Sequence, residues 1–490
     1  MTRNANPYLA LGVRPFINCC SVRTVHGGSL MLPEVRAAMD AASREFVNLD
    51  ELMEAAGARL AELTGAEWGI VTCGSAAAVA LGTAACVAGN DPVKMLKLPF
   101  TEGFPNRVIM PRNQRFAYDQ AIRMIGTHIV EIDDRAGLDA AVQEPVAMVA
   151  LLGTHEHQSA IRMEEIVSVV KPLGIPILVD AASEHLQRPS PWLARGADLV
   201  IYSGGKFLRG PQTSGLLLGR KDLVQAAWRN SSPHQALGRP MKVSKEDIVG
   251  LLAAVEYWFN ERDEAMERRR WRTDCETIAA HLAGIATTRI AEPAGVERVP
   301  RLVISWDAAK TGMDGNALRQ KLMDGSPRIM LDDLSAAANS TAIEPFGLMP
   351  GEAAEVGQAI AAALSAGVAR AASGKIPARD VAGEWELRVN FLHGARVHRL
   401  QLKQNGAALD GQHESDDFSG PVSGSMTPEG VAFRFDIRYE GSVISYRFDG
   451  ALSDGAMDGT VALGTSNDHH QGIVNLGQFG QGRWQARRSA

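Results

Sequence analysis

The sequence predicts three parts: a large α/β unit with a mostly parallel sheet flanked by helices, a smaller α+β unit, and a C-terminal antiparallel β-barrel or sandwich. Three observations carry this. From about residue 45 to 245, stretches with helical spacing alternate with short apolar runs, the pattern of βα units around strands buried on both faces. From 247 to 372 long helical stretches dominate, with one short strand-like run between them. From 383 onward apolar residues recur at every second position between turn pairs, the mark of short antiparallel strands. The expected boundaries are an N-terminal arm with part of the smaller unit (1–44), the large unit (45–246), the smaller unit (247–372), a linker (373–382) and the all-β module (383–490). A length of 490 residues suits about three domains.

In chain order, residues 52–63 read as a helix and 69–72 as a short buried strand. Residues 76–89, AAAVALGTAACVAG, read as a buried small-residue helix. Residues 163–170 are helical, and 175–179 and 198–202 are strand-like. Residues 247–285 form one long helix or a broken pair, and the charged block 261–272 within it reads as a solvated helix face. A strand at Arg301–Ser305 and an alanine-rich helix at 352–372 follow. In the C-terminal module, Val431, Phe433, Phe435, Ile437 and Tyr439, then Ile444, Tyr446 and Phe448, alternate between turn pairs such as Asn405-Gly406, Glu429-Gly430 and Glu440-Gly441. Trp385 and Trp484 are placed to help close the module. The His469-His470 pair reads as an ordinary loop rather than a metal site, and no metal is expected.

Composition narrows the function. With 46% hydrophobic and 22% charged residues the chain is globular. Its 50 basic and 56 acidic residues leave a net charge of −6, without the basic excess that nucleic-acid binding needs. Cysteines at 19, 20, 73, 86 and 275 show neither zinc-ribbon nor redox-dithiol spacing, which suits a reducing cytoplasm. Pro7, Arg14 and Pro15 interrupt what a signal peptide would need as an apolar core. The run 76–89 falls short of the ~20 residues that span a bilayer, so no membrane partner is expected.

Three segments carry chemistry. Thr72, Cys73, Gly74, Ser75 and Ala76 turn a short strand into the small-residue helix, and free N–H groups at a helix start with a serine hydroxyl make a phosphate cradle. Asp180 ends the apolar run Ile177–Asp180 at the carboxyl edge of the sheet, where α/β sheets bind ligands. A carboxylate there needs a cation, such as a protonated pyridine nitrogen, unless it only caps the next helix. Ser203, Gly204, Gly205 and Lys206 follow the next strand, and a lysine of lowered pKa can join an aldehyde cofactor as a Schiff base. Alone, each segment also has a plain structural explanation.

The stretch 180–219, with DAASEHL and SGGKFLRGPQTSGLLLG, resembles the selenocysteine synthase (SelA-like) family, and looks closest to its D-glucosaminate-6-phosphate ammonia-lyase branch. The likeness extends to residues 17–18 through 32–33, to 112–126 (RNQRFAYDQAIRMIG) and to 238–250 (GRPMKVSKEDIVG), covering about residues 12–370. It implies the aspartate-aminotransferase-like fold type I and the cofactor pyridoxal 5'-phosphate. By this resemblance Lys206 forms the Schiff base and Asp180 pairs with the ring nitrogen. Ala182 lies against the ring, and Gly74, Ser75, Ala76 and Ser203 hold the phosphate. Gln114 falls where relatives carry a ring-stacking histidine. Arg239 and Lys242 belong to a segment that reaches a neighbouring subunit, which implies a homodimer or larger homo-oligomer.

Phe116 and Tyr118, in the same loop as Gln114, are alternative stacking residues, with core packing the preferred reading. Arg301 and Arg328 are candidates for gripping a substrate carboxylate. His26, Glu156 and His157 are candidate acid–base groups, with a satisfied polar role the simpler reading. The expected reaction is a lyase α,β-elimination that releases ammonia from a small hydroxy-amino acid or amino-sugar acid. A racemase or epimerase is the near alternative. A transaminase, a selenium transferase and a non-catalytic binder stand behind it.

Overall fold

The central sheet contains β1 (Trp68–Thr72), β2 (Arg107–Pro111), β3 (His128–Ile132), β4 (Val146–Leu152), β5 (Ile177–Asp180), β6 (Leu199–Ser203) and β7 (Gly215–Gly219). Its spatial order is β1-β7-β6-β5-β4-β2-β3. Strand β7 is antiparallel to both neighbours and the remaining pairings are parallel. Parallel strands need crossover helices, and these cover both faces. Strands β1, β5 and β7 are therefore buried along their whole length. The computed structural model describes residues 6–293, 299–332, 336–337, 339–366, 379–453, 455–466 and 473–489.

Register positions the site. Leu152 pairs with Asp180, so β4 and β5 end level with one another, and Asp180 pairs with Ile201, two residues before β6 ends at Ser203. The loops after all three strands open on one edge. Beside them the helix Ser75–Ala88 starts directly after β1 and is buried nearly throughout, which accounts for its alanines and glycine.

A second apolar core gathers Cys275, Ile278, Leu302, Ile304, Val356 and Ile360 around a three-stranded antiparallel sheet of β8 (Thr287–Ala291), β9 (Arg301–Ser305) and β10 (Ser340–Ile343). The N-terminal Ile17–Asn18 pairs in parallel with Ile329–Met330 and so ties the start of the chain to this core. The 247–285 stretch is a broken pair, Lys245–Asn260 and Glu264–His281, because Asp263 caps the second helix by accepting from the Met266 N–H at 2.8 Å. Most of its charged block is exposed, with Arg268 paired to Glu264 and Arg272 to Glu276, while the Arg262 side chain is buried over the Trp258 ring at 3.8 Å. The helix Glu352–Ala366 begins as expected. Residues 367–378, which take in most of the expected linker, and the His469-His470 pair lie outside the described residues.

The C-terminal module is a closed eight-stranded barrel: β11 (Gly383–Asn390), β12 (Ala395–Asn405), β13 (Ala408–Glu414), β14 (Ser419–Thr427), β15 (Gly430–Tyr439), β16 (Ser442–Ser453), β17 (Ala456–Ser466) and β18 (Ile473–Arg488). Each strand pairs with the next, and β11 closes onto β18 through Val389 and Trp484. Closure leaves no free edge. Trp385, Phe433, Phe435, Phe448 and Trp484 fill the interior, and the Trp484 indole donates to the Thr460 carbonyl at 2.9 Å.

Inside the same barrel, His398 and His413 are fully buried with their Nδ1 atoms 3.3 Å apart, and His413 stacks on Phe435 at 3.9 Å. Burial pushes the His398 imidazole down to about 4, helped by His413, and burial lowers His413 as well. A histidine held neutral in the fold contributes stability that is complete above its unfolded value and is lost as pH falls from there toward the folded value. Lowering pH from 7.5 to 4.5 should therefore cost the barrel up to about 3 kcal/mol, and His398→Leu should flatten that dependence. Thermal melts followed by tryptophan fluorescence check this; a wild-type barrel equally stable at both pH values refutes it.

Candidate active site

A cavity of about 490 Å3 opens at the carboxyl edge of the sheet. Its wall includes Cys73, Gly74, Ser75 and Ala76 from the turn after β1, and Asp180, Ala182 and Ser183 from the turn after β5. Ser203 and Lys206 after β6, with Gln212 and Thr213, complete that side, and Thr24, Phe116, Tyr118, Leu152, Thr154 and His155 the other. Residues from widely separated segments thus meet because successive parallel strands deliver their carboxyl ends to one place.

The phosphate-type cradle is built by backbone. Gly74 has φ +103°, a left-handed-side conformation that side chains rarely adopt, and a Cβ built there would meet nothing within 4 Å. The residue is glycine for its torsion, and the space above it is open. The helix's first internal bond runs from Ala78 N–H to Gly74 O, so the N–H groups of Ser75, Ala76 and Ala77 have no acceptor within the helix. They sit at the positive end of a 14-residue helix.

The lysine is placed by a turn pinned from several sides. Gly204 N–H donates to Ser214 O at 2.9 Å, while Ser29 donates to Gly205 O from both its N–H (2.9 Å) and its hydroxyl (3.0 Å). Lys206 is half-buried, and its Nζ donates to Ser183 Oγ at 2.7 Å. Desolvation lowers its pKa, with Asp180 opposing. Asp180 is 7% exposed and accepts the Ala182 N–H at 2.9 Å. Burial pushes its carboxyl above the ordinary range, and Ala182 N–H and Lys206 pull it back. No helix begins after Asp180; the next starts at Pro191, which removes the helix-cap explanation.

Several sequence-based candidates sit elsewhere. Gln114 is a correction: it is fully buried behind the cavity, donating to Ser159 Oγ at 2.8 Å and accepting Leu152 N–H at 2.7 Å, so both ends of its amide bridge structure. Arg239, whose segment is expected to reach a neighbouring subunit's site, lies outside this chain's own cavity wall and reaches Ser232 Oγ at 3.3 Å. Arg301 is half-exposed on β9, 3.5 Å from Glu344, and Arg328 spends its donors on the carbonyls of Met323 (3.1 Å) and Arg14 (3.2 Å). Neither arginine lines the cavity. His26 contacts Cys20 Sγ at 3.2 Å, two residues beyond the cavity-lining Thr24. Glu156 is buried against Arg162 and Arg195, both within 3 Å, and His157 is exposed.

Phe116 combines both readings, packing with Met110 and Leu152 while presenting to the cavity, and Tyr118 lies 5.9 Å from it. Sequence reasoning missed Ser183, Thr154 and His155. The signal for the last two was their place just after β4, immediately before the pair Glu156-His157.

Comparisons with known proteins agree with this geometry. Residues 152–272 match the family model described as SelA, L-seryl-tRNA selenium transferase. The chain is similar to 5'-C-glycyluridine monooxygenase-decarboxylase of a Streptomyces species, 32% identical over 358 residues that cover 70% of this chain and 88% of that protein. It is 30% identical to D-glucosaminate-6-phosphate ammonia lyase of Salmonella typhimurium over 360 residues, covering 71% of this chain and 95% of the relative. The chain belongs to the SelA-like family of pyridoxal-phosphate-dependent enzymes. A solved structure of D-glucosaminate-6-phosphate ammonia-lyase superposes on this SelA-like chain with a TM-score of 0.66 and 28% identity, over 74% of this chain and 99% of that one.

The cofactor of the SelA-like chain is pyridoxal phosphate, and the residues present suit it. The open space above Gly74 and the unpaired N–H groups suit its phosphate, the desolvated Lys206 amine suits its aldehyde, and the buried Asp180 carboxyl suits a ring cation.

Proposed function

We propose that this enzyme is a lyase that releases ammonia by α,β-elimination from a small hydroxy-amino acid or amino-sugar acid. The observation that carries the reading is the convergence of Lys206, Asp180 and the start of the helix Ser75–Ala88 on one cavity. Pyridoxal phosphate, when bound, supplies an electron-poor ring that accepts the electron pair left by breaking a bond at the substrate α-carbon.

The chain's own groups do the rest. Lys206 anchors the cofactor and, released by the substrate amine, accepts the α-proton at Nζ; desolvation lowers its pKa and so favours the neutral amine that this step needs. Asp180 holds a proton on the ring nitrogen. Ser75, the N–H groups of Ser75 and Ala76 beside Gly74, and Ser203 grip the phosphate. Phe116 and Ala182, both in the cavity wall, would flank the cofactor ring. His155, in the cavity wall with Nδ1 3.0 Å from Thr154 Oγ1, gives the departing β-hydroxyl its proton, so water leaves. The resulting enamine takes up water to give a keto acid and ammonia. The 30% identity to an ammonia lyase supports this class, and the hydroxyls of Thr24, Thr213 and Tyr118 in the wall suit a polyhydroxylated substrate.

His155 also supports a second reading. Racemisation needs two proton-bearing groups, and Lys206 and His155 are such a pair. Incubating the holoenzyme with D- and L-hydroxyamino acids and with amino-sugar acids separates the two. Keto acid with equimolar ammonia is the expected result; loss of optical rotation without ammonia establishes the racemase, and neither product with any of them overturns both.

Residues 45–246 are proposed as the cofactor-binding unit, extended by Leu32, Val35 and the helix Lys245–Asn260, which share its apolar core, while the strand Ile17–Asn18 and residues 264–372 are proposed as the smaller unit. A homodimer or larger assembly is proposed as well, supported by the exposed Tyr8, Leu9, Leu11 and Val13 of the N-terminal segment. A cytoplasmic setting is supported by five free thiols. Among the described residues no helix is long and apolar enough to cross a membrane.

A further inference from the structure

The barrel touches the loop that carries two residues of the cavity wall, Phe116 and Tyr118. Residues 112–119 hold only two short 3-10 turns, Arg112–Gln114 and Ala117–Asp119, with no ladder of their own. Gln114 fixes the first end of this loop, as described above. The second end is fixed from the barrel, by the turn that joins β15 to β16.

Arg115, buried to 9% exposure, contacts three carboxylates: Asp119 at 2.6 Å, Glu131, and Glu440 of the barrel turn at 2.5 Å. Asp119 is fully buried and also accepts from Arg123 Nε at 3.1 Å. Arg123 in turn lies over the Tyr439 ring at 5.9 Å. Glu440 has φ +53°, a left-handed conformation unusual outside glycine, which aims its carboxylate at the loop. Next to it, a Cβ on Gly441 would fall 2.3 Å from Phe116 O and 2.4 Å from Asp119 Oδ2. Only a residue without a side chain lets the barrel backbone come this close. The carbonyl under Gly441 belongs to the residue whose ring faces the cavity.

We infer that Glu440 and Gly441 are positioning residues for the active site: through Arg115, Asp119 and the Phe116 backbone, the barrel holds Phe116 and Tyr118 in the cavity wall. The C-terminal module is thereby a working part of the cofactor and substrate pocket. The effect on cofactor binding rests on the proposed role of Phe116; the effect on loop order does not.

The test uses the full-length protein with Gly441→Val and, as a variant that leaves the turn backbone undisturbed, Glu440→Gln. Hydrogen exchange of the cofactor-free protein reads the loop directly. Amides of residues 115–119 should exchange at least about tenfold faster in Gly441→Val and about threefold faster in Glu440→Gln, with amides of the barrel strands unchanged. Pyridoxal phosphate affinity, by absorbance titration, should weaken about tenfold in Gly441→Val, and adding that change to Phe116→Ala should cost nothing further, since both act through one ring. Unchanged loop exchange in both variants overturns the inference. So does faster exchange spread evenly through the barrel, which marks a purely structural turn. A wild type that fails to bind pyridoxal phosphate overturns the proposed function instead and leaves the exchange result standing.

Discussion

Lys206→Ala should abolish turnover, by at least about 10³-fold, and remove the visible absorbance that pyridoxal phosphate gains on joining a lysine amine. The size follows from the double duty assigned to one nitrogen, which anchors the cofactor and accepts the α-proton. Its surroundings serve both tasks. Ser183 Oγ orients Nζ at 2.7 Å, and desolvation lowers its pKa, so the neutral nucleophilic form is accessible. Lys206→Arg keeps the cation near Asp180 but provides a guanidinium that does not give up its proton, and it should be equally colourless. If Lys206→Arg binds pyridoxal phosphate with the wild-type absorbance, another amine anchors the cofactor and the site has been misassigned. Ser183→Ala should be milder, shifting the pH at which the colour appears rather than removing it.

What the sequence disclosed and what it withheld divide along physical lines. Asp180 and Lys206 were legible because each follows a short apolar run, and a strand's carboxyl end is a fixed address in a parallel sheet. The barrel was legible because period-two alternation survives in any register; Phe433, Phe435 and Phe448 all point inward as that alternation requires. Side-chain destinations after a strand end were not legible. After β4, Thr154 and His155 face the cavity, while Glu156, one residue on, turns into a cage of Arg162 and Arg195. One residue of loop separates a candidate catalytic group from a structural one, and spacing does not encode that. Gln114 was misread for a related reason. Its partners, Leu152 and Ser159, come from a different βα unit, 38 and 45 residues away. The Arg115–Glu440 contact joins residues 325 apart, beyond any local pattern.

Asp180→Asn should leave the cofactor bound and coloured yet lower kcat by about 10² to 10⁴-fold, the scale on which a buried charge pair loses one partner. Asparagine is nearly isosteric, and its side-chain oxygen can still accept the Ala182 N–H that fixes the turn after β5, so the change isolates charge from shape. Burial alone drives the Asp180 carboxyl upward, toward its neutral form. A cation directly opposite it favours the carboxylate form against that burial, and the ring nitrogen of the cofactor is the cation that fits. The two groups then hold each other charged. Losing the carboxylate should let the ring nitrogen shed its proton at neutral pH and weaken the electron sink, while Lys206 and the helix-start cradle still retain the cofactor. The signature is a fall in kcat larger than any rise in KM, with the wild-type affinity for pyridoxal phosphate preserved within a few-fold. Asp180→Glu, which restores the charge on a longer arm, should recover part of the rate. If the asparagine variant turns over at the wild-type rate, Asp180 supports the turn and nothing more, and the reaction draws its electron sink from a ring that needs no carboxylate beside it.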